Sequence, residues 1–313
     1  MISEILSVIF SINTFNAALR LSIPMALGAM AGAFSERSGI INIGLEGMLL
    51  IGAFAGVLGS FITGSAWLGV IFAAISGILT ALIFAVFIIE FKANHVVAGV
   101  GLNILVLGFT TWMMQIIWGT KGASPSVNSV PPIKIYILED IPIIGRLLGI
   151  QSPYVYLMLV LIIAGWVLMF KTPLGLRIRF TGEHPEAADS QGINVKRIKY
   201  FSLLLSGFLC GIGGSYLSLA HLSQFSRNMT AGRGYMALAA NIFGQWNPLG
   251  GLAASLLFGF TDALQMRLQG LEIGLANDLI QMLPYILTIA VLAGAVIKSR
   301  PPAALGNHYE SGE

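Results

Sequence analysis

Long runs without charge constrain this chain before anything else. Trp67 to Ile89 carries no charged side chain, and Ile40–Thr63, Val96–Ile117, Tyr154–Phe170 and Phe201–Ala220 follow the same pattern, with Glu46 the only charged residue in them. A bilayer core needs about 20 apolar residues to be crossed as a helix. The runs are continuous rather than alternating, which favours helices over a transmembrane barrel. Composition agrees: 56% of residues are hydrophobic and 10% charged, against about 25% charged in a soluble domain. One soluble core could not hide so much apolar surface in 313 residues. The reading is an all-α membrane protein, a single transmembrane domain over residues 1–313. It forms a polytopic helical bundle of about eight to ten transmembrane helices, some of them broken or re-entrant.

One long polar segment divides the apolar halves. Residues 171–200, KTPLGLRIRFTGEHPEAADSQGINVKRIKY, hold six of the 17 Lys and Arg. Short basic loops stay on the cytoplasmic side, which orients the remaining spans. Within the segment, Pro185 suits the first position of a helix and Gly192 the position just past its end, bracketing about two turns over Pro185–Gln191. Glu183, Glu186 and Asp189 favour the positive N-terminal end of that helix. Ala187, Ala188 and Ile193 supply a low apolar face. Such a helix either docks into a partner or simply lies solvated, and helix chemistry alone does not choose.

The run GEHPEAADSQGI, with Pro-Leu-Gly-Leu-Arg upstream, resembles the coupling segment of ATP-binding-cassette importer permeases of the ribose and branched-chain-amino-acid type, and within them the simple-sugar and nucleoside permeases. INIGLEGMLLIGA resembles the same family's early glycine-rich motif. The resemblance extends from about Arg20 to Lys298. It implies a multi-pass permease of the bacterial cytoplasmic membrane, carrying nucleosides or simple sugars. Its expected partners are cytoplasmic ATP-binding subunits, a second homologous permease subunit, an external substrate-binding lipoprotein and the lipid bilayer. It also implies that Glu183, Pro185, Glu186, Ala187, Ala188 and Gly192 contact the ATPase. A bulky charged residue at Ala188 is then expected to stop ATP-driven uptake without preventing membrane insertion.

Other residues are candidates for the transport pathway. Glu46 lies inside an apolar run, where an acid costs about 2.5–3.5 kcal/mol on insertion scales and must face protein or water. Asn42, four residues earlier, would share its helix face. The pair would line the pathway or pin a broken helix; alternatively, Glu46 is a structural acid bonded to a neighbouring helix. Asn103 faces the pathway or makes an interhelical bond. Gly234–Trp246 is too short to cross alone, and Asn247-Pro248-Leu249-Gly250-Gly251 separates it from the next apolar run, so a cavity is expected there. Asn241 and Gln245 would share a face of that short helix. SERSGIINIGLEGMLLIGA and TAGRGYMALAANIFGQW faintly echo one another, each placing a glycine-rich turn before a short, polar-interrupted helix. Gly207, Gly211, Gly213 and Gly214 would form a close-packing face. Residues 118–152 read as an external loop, with Ile133–Leu138 and Ile141–Leu148 resting on the membrane or meeting a delivery protein. Asp278–Ile297 reads as the last span, and the tail PPAALGNHYESGE as mobile.

The sequence contains no phosphate-binding G-x-x-x-x-G-K-[ST] motif and no H-E-x-x-H. It holds one cysteine, Cys210, too few for a disulfide or a Cys-rich metal site. Catalytic and metal-binding residues are therefore not expected, nor a cofactor of its own, and ATP would be bound by a partner chain. Basic residues cluster at loops rather than in a nucleic-acid patch. Two alternatives stand beside the importer reading. One is a branched-chain amino-acid permease. The other is an ion-coupled secondary transporter in which Glu46 and Asp262 act as coupling acids.

Overall fold

The computed structural model describes residues 11–134, 149–269 and 300–309, with Met282, Ile286 and Ile289 besides. The chain folds as a helical bundle. Its helices are α1 (Ile12–Arg37), α2 (Leu45–Thr63), α3 (Ala66–Ile89), α4 (His95–Trp118), α5 (Pro153–Lys171), α6 (Pro173–Glu183), α7 (Pro185–Ser190), α8 (Val195–Tyr216, continued by a π turn Leu217–His221), α9 (Arg233–Phe243) and α10 (Pro248–Gln269). Seven of the described helices are long and apolar enough to cross a membrane: α1 to α5, α8 and α10. This is a multi-pass membrane protein. The expected span Asp278–Ile297 lies outside the described residues, apart from isolated positions. So do the first ten residues and most of Ile133–Leu138 and Ile141–Leu148. Two short strands, β1 (Ile133–Lys134) and β2 (Ile150–Gln151), pair antiparallel with Ile133 opposite Gln151.

Helices α1, α2 and α8 form the centre and are buried over most of their length. The outer helices expose large apolar side chains: Trp67, Ile71, Ile75 and Leu79 on α3, Ile104, Leu105 and Trp112 on α4, Val160 and Ile163 on α5. So broad an apolar surface is stable only against lipid or another membrane chain. The glycine-rich stretch of α8 packs as expected. A Cβ on Gly207 would overlap the Gly77 carbonyl of α3, and one on Gly214 the Leu49 carbonyl of α2.

Several boundaries depart from the sequence reading. α1 is helical from Ile12 to Arg37. Its polar residues are satisfied from outside the helix: Arg20 Nε donates to Gln151 Oε1 at 2.8 Å, and Gln151 Nε2 donates to Asn16 Oδ1 at 2.8 Å. The second span starts at Leu45, so residues 38–44 rise into the bundle as irregular backbone. That stretch is fixed in part by Ile41 N donating to His95 Nδ1 at 3.2 Å. The 118–152 loop is tied down in its described part. Ser124 N, Val127 N and Val130 N donate to the carbonyls of Phe225, Ser223 and Leu219.

The tail corrects an expectation. Residues 300–309 are seated on the basic end of the bundle, and Pro302 and Ala304 are buried there. Ala304 N donates to Gly182 O at 2.9 Å and Gly306 N to Gly39 O at 2.9 Å. The backbone hydrogen bonds left open by these two turns are met by the tail, which makes it a strap.

Candidate functional site

Two features stand out: an exposed short helix at the basic end, and a half-helix inside the bundle. At the basic end, α6 starts at Pro173, capped by Thr172, whose Oγ1 accepts from Gly175 N at 3.2 Å. It stops at His184, where Pro185 starts α7. α7 covers Pro185–Ser190, close to the expected Pro185–Gln191, and Gly192 follows with φ +76°. That left-handed position suits glycine. Asn194 then caps α8, accepting from Arg197 N at 2.9 Å. The 171–200 segment is therefore mostly helical. Two of its six cations lie over aromatic rings: Lys171 over Trp166 at 5.6 Å and Arg179 over Phe170 at 5.1 Å.

The expected contact residues divide by exposure. Glu186, Ala187 and Gly192 are exposed, and Pro185 is half-buried. Ala188 is 0% exposed. It packs inward on its own chain, so it seats α7 rather than presenting a surface. Glu183 is engaged on both sides: Oε1 lies 3.9 Å from Arg37 Nη1, and Oε2 accepts from Ala303 N at 3.1 Å. The strap borders α7. Tyr309 Oη donates to Asp189 Oδ2 at 2.6 Å. That bond, with burial and the Asp189 and Glu186 charges behind it, pushes the Tyr309 hydroxyl up to about 12. Between α7 and the strap lies an open cleft of about 820 Å³, lined by His184, Pro185, Glu186, Ala187, Asn307 and His308 among others.

The half-helix is α9. Eleven residues make it about 16 Å long, half a bilayer core. Its side of α1 is marked by close approaches of Gly28 to Ala237 and Gly32 to Asn241. Gly28 lies nine residues before Arg37 and α9 begins four residues before Ala237, so its start lies about 20 Å from the end of α1, near the middle of that helix. There the chain breaks, with Ala231 at φ +46° and Gly232 at φ +85°. Glu46, in the first turn of α2, takes up the freed amides: Oε1 accepts from Gly232 N at 2.8 Å and Oε2 from Gly234 N at 2.6 Å. A carboxylate at a helix N-terminus is doubly favoured, by hydrogen bonds and by the helix dipole. The two echoing sequence stretches thus each lead into a helix that begins inside the bundle, and the two starts meet at Glu46.

Of the five expected pathway residues, Glu46 and Asn103 lie at this break, Asn42 in the irregular stretch before α2, and Asn241 and Gln245 at the other end of α9. Asn42 is not on a helix with Glu46; it lies in the irregular stretch and donates to Ser206 Oγ at 3.0 Å. Asn103 accepts from Gly47 N at 2.8 Å and donates to Ile43 O and Tyr235 Oη, each at 3.0 Å. Asn241 donates to Glu36 Oε2 at 2.9 Å. Asn42, Glu46, Asn103 and Asn241 are all buried. Gln245 is exposed, but α9 ends at Phe243 and Gln245 has φ +55°, so it shares no helix face with Asn241. Asp262 is half-buried on α10. Sequence reasoning missed Glu36, Trp246 and Tyr235. Glu36 is 3% exposed and also accepts from the Trp246 indole N–H. Tyr235, 47% exposed, is the aromatic side chain that opens outward at the break. An acid–base pair ending a span, Glu36-Arg37, was the available signal; it reads equally well as an ordinary polar turn. Among the described residues no group of three His, Cys, Asp or Glu side chains could hold a metal ion.

Comparison with known proteins bears on this arrangement. The family model described as branched-chain amino acid transport system/permease component matches residues 14–292. The chain is 38% identical to the guanosine ABC transporter permease protein NupQ of Bacillus subtilis, over 100% of this chain and 99% of that one. It is 37% identical to the nucleoside ABC transporter permease protein NupC of Lactococcus lactis, over 92% and 93% of the two chains. It is 33% identical to the putative glucose ABC transporter permease protein TsgC13 of Haloferax volcanii, over 96% and 98%.

Proposed function

The chain belongs to the branched-chain amino acid transport system/permease component family, and from that premise we propose that it carries nucleosides or simple sugars inward through a bacterial cytoplasmic membrane. It is a transport permease subunit, so ATP is bound and hydrolysed by a partner chain. A second permease subunit completes the pathway, and an external binding lipoprotein delivers substrate. The named cargoes of its relatives favour this substrate class over branched-chain amino acids.

The observation that carries the coupling role is the exposed, proline-started helix α7, joined on both sides to bundle-contacting helices by turns of a few residues. Movement of α7 must move α6 and α8. The face offered to the ATP-binding subunit is Pro185, Glu186, Ala187 and Gly192, with Glu183 and Ala188 holding it in place. The pathway runs beside the α9 break, where Tyr235 offers an aromatic face to a nucleobase or sugar ring. Both Glu46 oxygens and the side-chain nitrogens of Asn42, Asn103 and Asn241 are engaged by their own chain, which favours a supporting role for them over direct substrate contact, although the buried Asn42 Oδ1 and Asn241 Oδ1 have no partner among the described residues.

The test pairs two neighbouring alanines in vesicles loaded with the ATP-binding subunit. Ala187→Arg is expected to leave insertion and folding intact and to abolish ATP-dependent uptake. Ala188→Arg is expected to lower the folded yield itself, because the site is closed. Full uptake by Ala187→Arg, or uptake that follows a proton or sodium gradient without the ATP-binding subunit, would refute the docking role.

A further inference from the structure

The coupling helices and the half-helix do not merely lie near one another. Both are attached to the last two residues of α1. On the coupling side, Gly182 of α6 sits so tightly on the Arg37 carbonyl that a Cβ there would overlap it. The Arg37 guanidinium also lies 3.9 Å from Glu183. On the membrane side, the same guanidinium donates to Trp246 O at 3.2 Å and to Gln245 O at 3.1 Å. Glu36, one residue earlier, accepts from both Asn241 and the Trp246 indole. So the C-terminal end of α9 is held by Glu36 and Arg37, as its N-terminal end is held by Glu46.

The segment so held is unusual. Gln245 and Trp246 have φ +55° and +53°, two consecutive non-glycine residues in the left-handed region. Such residues persist where surroundings impose them, and they cluster where a chain switches between arrangements. Here the turn's own backbone bonds, Gln245 N to Ile242 O and Trp246 N to Asn241 O, are joined by bonds from outside, made by Arg37 and Glu36. A shift of α6 that moves Arg37 therefore releases or re-forms the turn at the end of α9, and with it the register of α9 against α1.

We propose that Glu36 and Arg37 are positioning residues that transmit movement of the coupling helices to the half-helix α9. The proposal rests on the reading of α7 as the contact with the ATP-binding subunit. The turn at Gln245 and Trp246 is the element that both sites would bias.

The experiment tracks α9 directly and needs no known substrate. A cysteine is placed on α9 by Met236→Cys; the natural Cys210 is buried and serves as the unreactive background. The full chain is reconstituted with its ATP-binding subunit, and thiol-labelling rates are compared without nucleotide and with ADP trapped by vanadate after hydrolysis of ATP. The rate is expected to change about tenfold between the two states, in the lower part of the usual range for coupled sites. Adding Arg37→Gln is expected to cut that change below about twofold while ATP hydrolysis by the assembled complex continues. Trp246→Phe, which removes one indole donor and keeps the ring, is expected to give an intermediate loss and serves if Arg37→Gln fails to fold. The proposal is overturned if labelling is insensitive to nucleotide in the unaltered relay, if the change survives in both folded variants, or if hydrolysis falls in step with it. Failure of the parent chain to bind the ATP-binding subunit at all would instead refute the underlying docking reading, and this proposal with it.

Discussion

Helices α3 and α8 meet backbone to backbone, whereas α9, which also packs closely on its neighbours at Gly234 and Ala237, is fastened at both ends by carboxylates. In the first contact, Gly77 and Gly207 face each other so closely that neither has room for a side chain, and Gly211 lies equally close to Ala73. Packing of this kind is stiff, because neither surface can slide without a clash. In the second, an eleven-residue helix is fastened at one end by Glu46 and at the other by Glu36 and Arg37. Fastenings made by a few directional bonds can be exchanged one at a time. The contrast separates a frame from a moving part within a single bundle.

The largest test attacks the frame. Gly207→Leu forces a side chain against the Gly77 carbonyl and Ala81, and backbone cannot yield cheaply. Overpacking costs about 1–3 kcal/mol in ordinary cores and more where the neighbour is backbone. The expected result is little folded protein in detergent, read by size-exclusion yield and thermal unfolding. A monodisperse variant with unchanged melting would mean that α3 and α8 can separate, and the frame would be no frame.

The intermediate test attacks the moving part. Glu46→Gln keeps the shape but turns an acceptor into a donor facing the amides of Gly232 or Gly234. Loss of one charge-assisted bond and an unsatisfied buried donor together cost about 2–4 kcal/mol. The fold survives on its frame, so the expectation is a chain that still assembles, melts a few degrees lower and transports poorly. Unimpaired uptake would show that the α9 start needs no anchor.

Legibility followed the same division. The spans and the glycine face of α8 were readable because period, length and residue size act locally. So were the ends of α7, where Pro185 and Gly192 carry their own backbone preferences. The irregular stretch 38–44 was not readable: Ile40 and Ile41 look like the start of a helix, and Asn103, His95, Ser206 and Gly306, all distant in sequence, help to hold it open. Asn241 and Gln245 at four-residue spacing imply a shared face only if the helix continues, and it stops at Phe243. Ala188 looked like a docking residue because alanine on a short helix has no direction in one dimension. The tail looked mobile for a related reason, since its partners Gly39, Gly182, Glu183 and Asp189 lie more than a hundred residues away.

The smallest test asks to which side of the contrast the strap belongs. Its backbone bonds to Gly39 and Gly182 resemble the frame, whereas its side-chain bond from Tyr309 to Asp189 resembles the fastenings of α9. If the hydroxyl bond matters, Tyr309→Phe should speed amide exchange at Ala304 and Gly306 by about twofold, the lower end of what one hydrogen bond contributes. Exchange in α3 and α8 should not change. The tyrosine is an acid raised to about 12, so the bonded neutral form is the stable one and is lost only as pH rises through that value. Across the neutral range the Tyr309 hydroxyl should therefore stay neutral and keep this bond. Strap amides that exchange at the rate of a free peptide in the unaltered chain would mean that the tail is not seated at all. Unchanged exchange in Tyr309→Phe would assign its seating to the backbone bonds alone, and the strap would then belong with the frame.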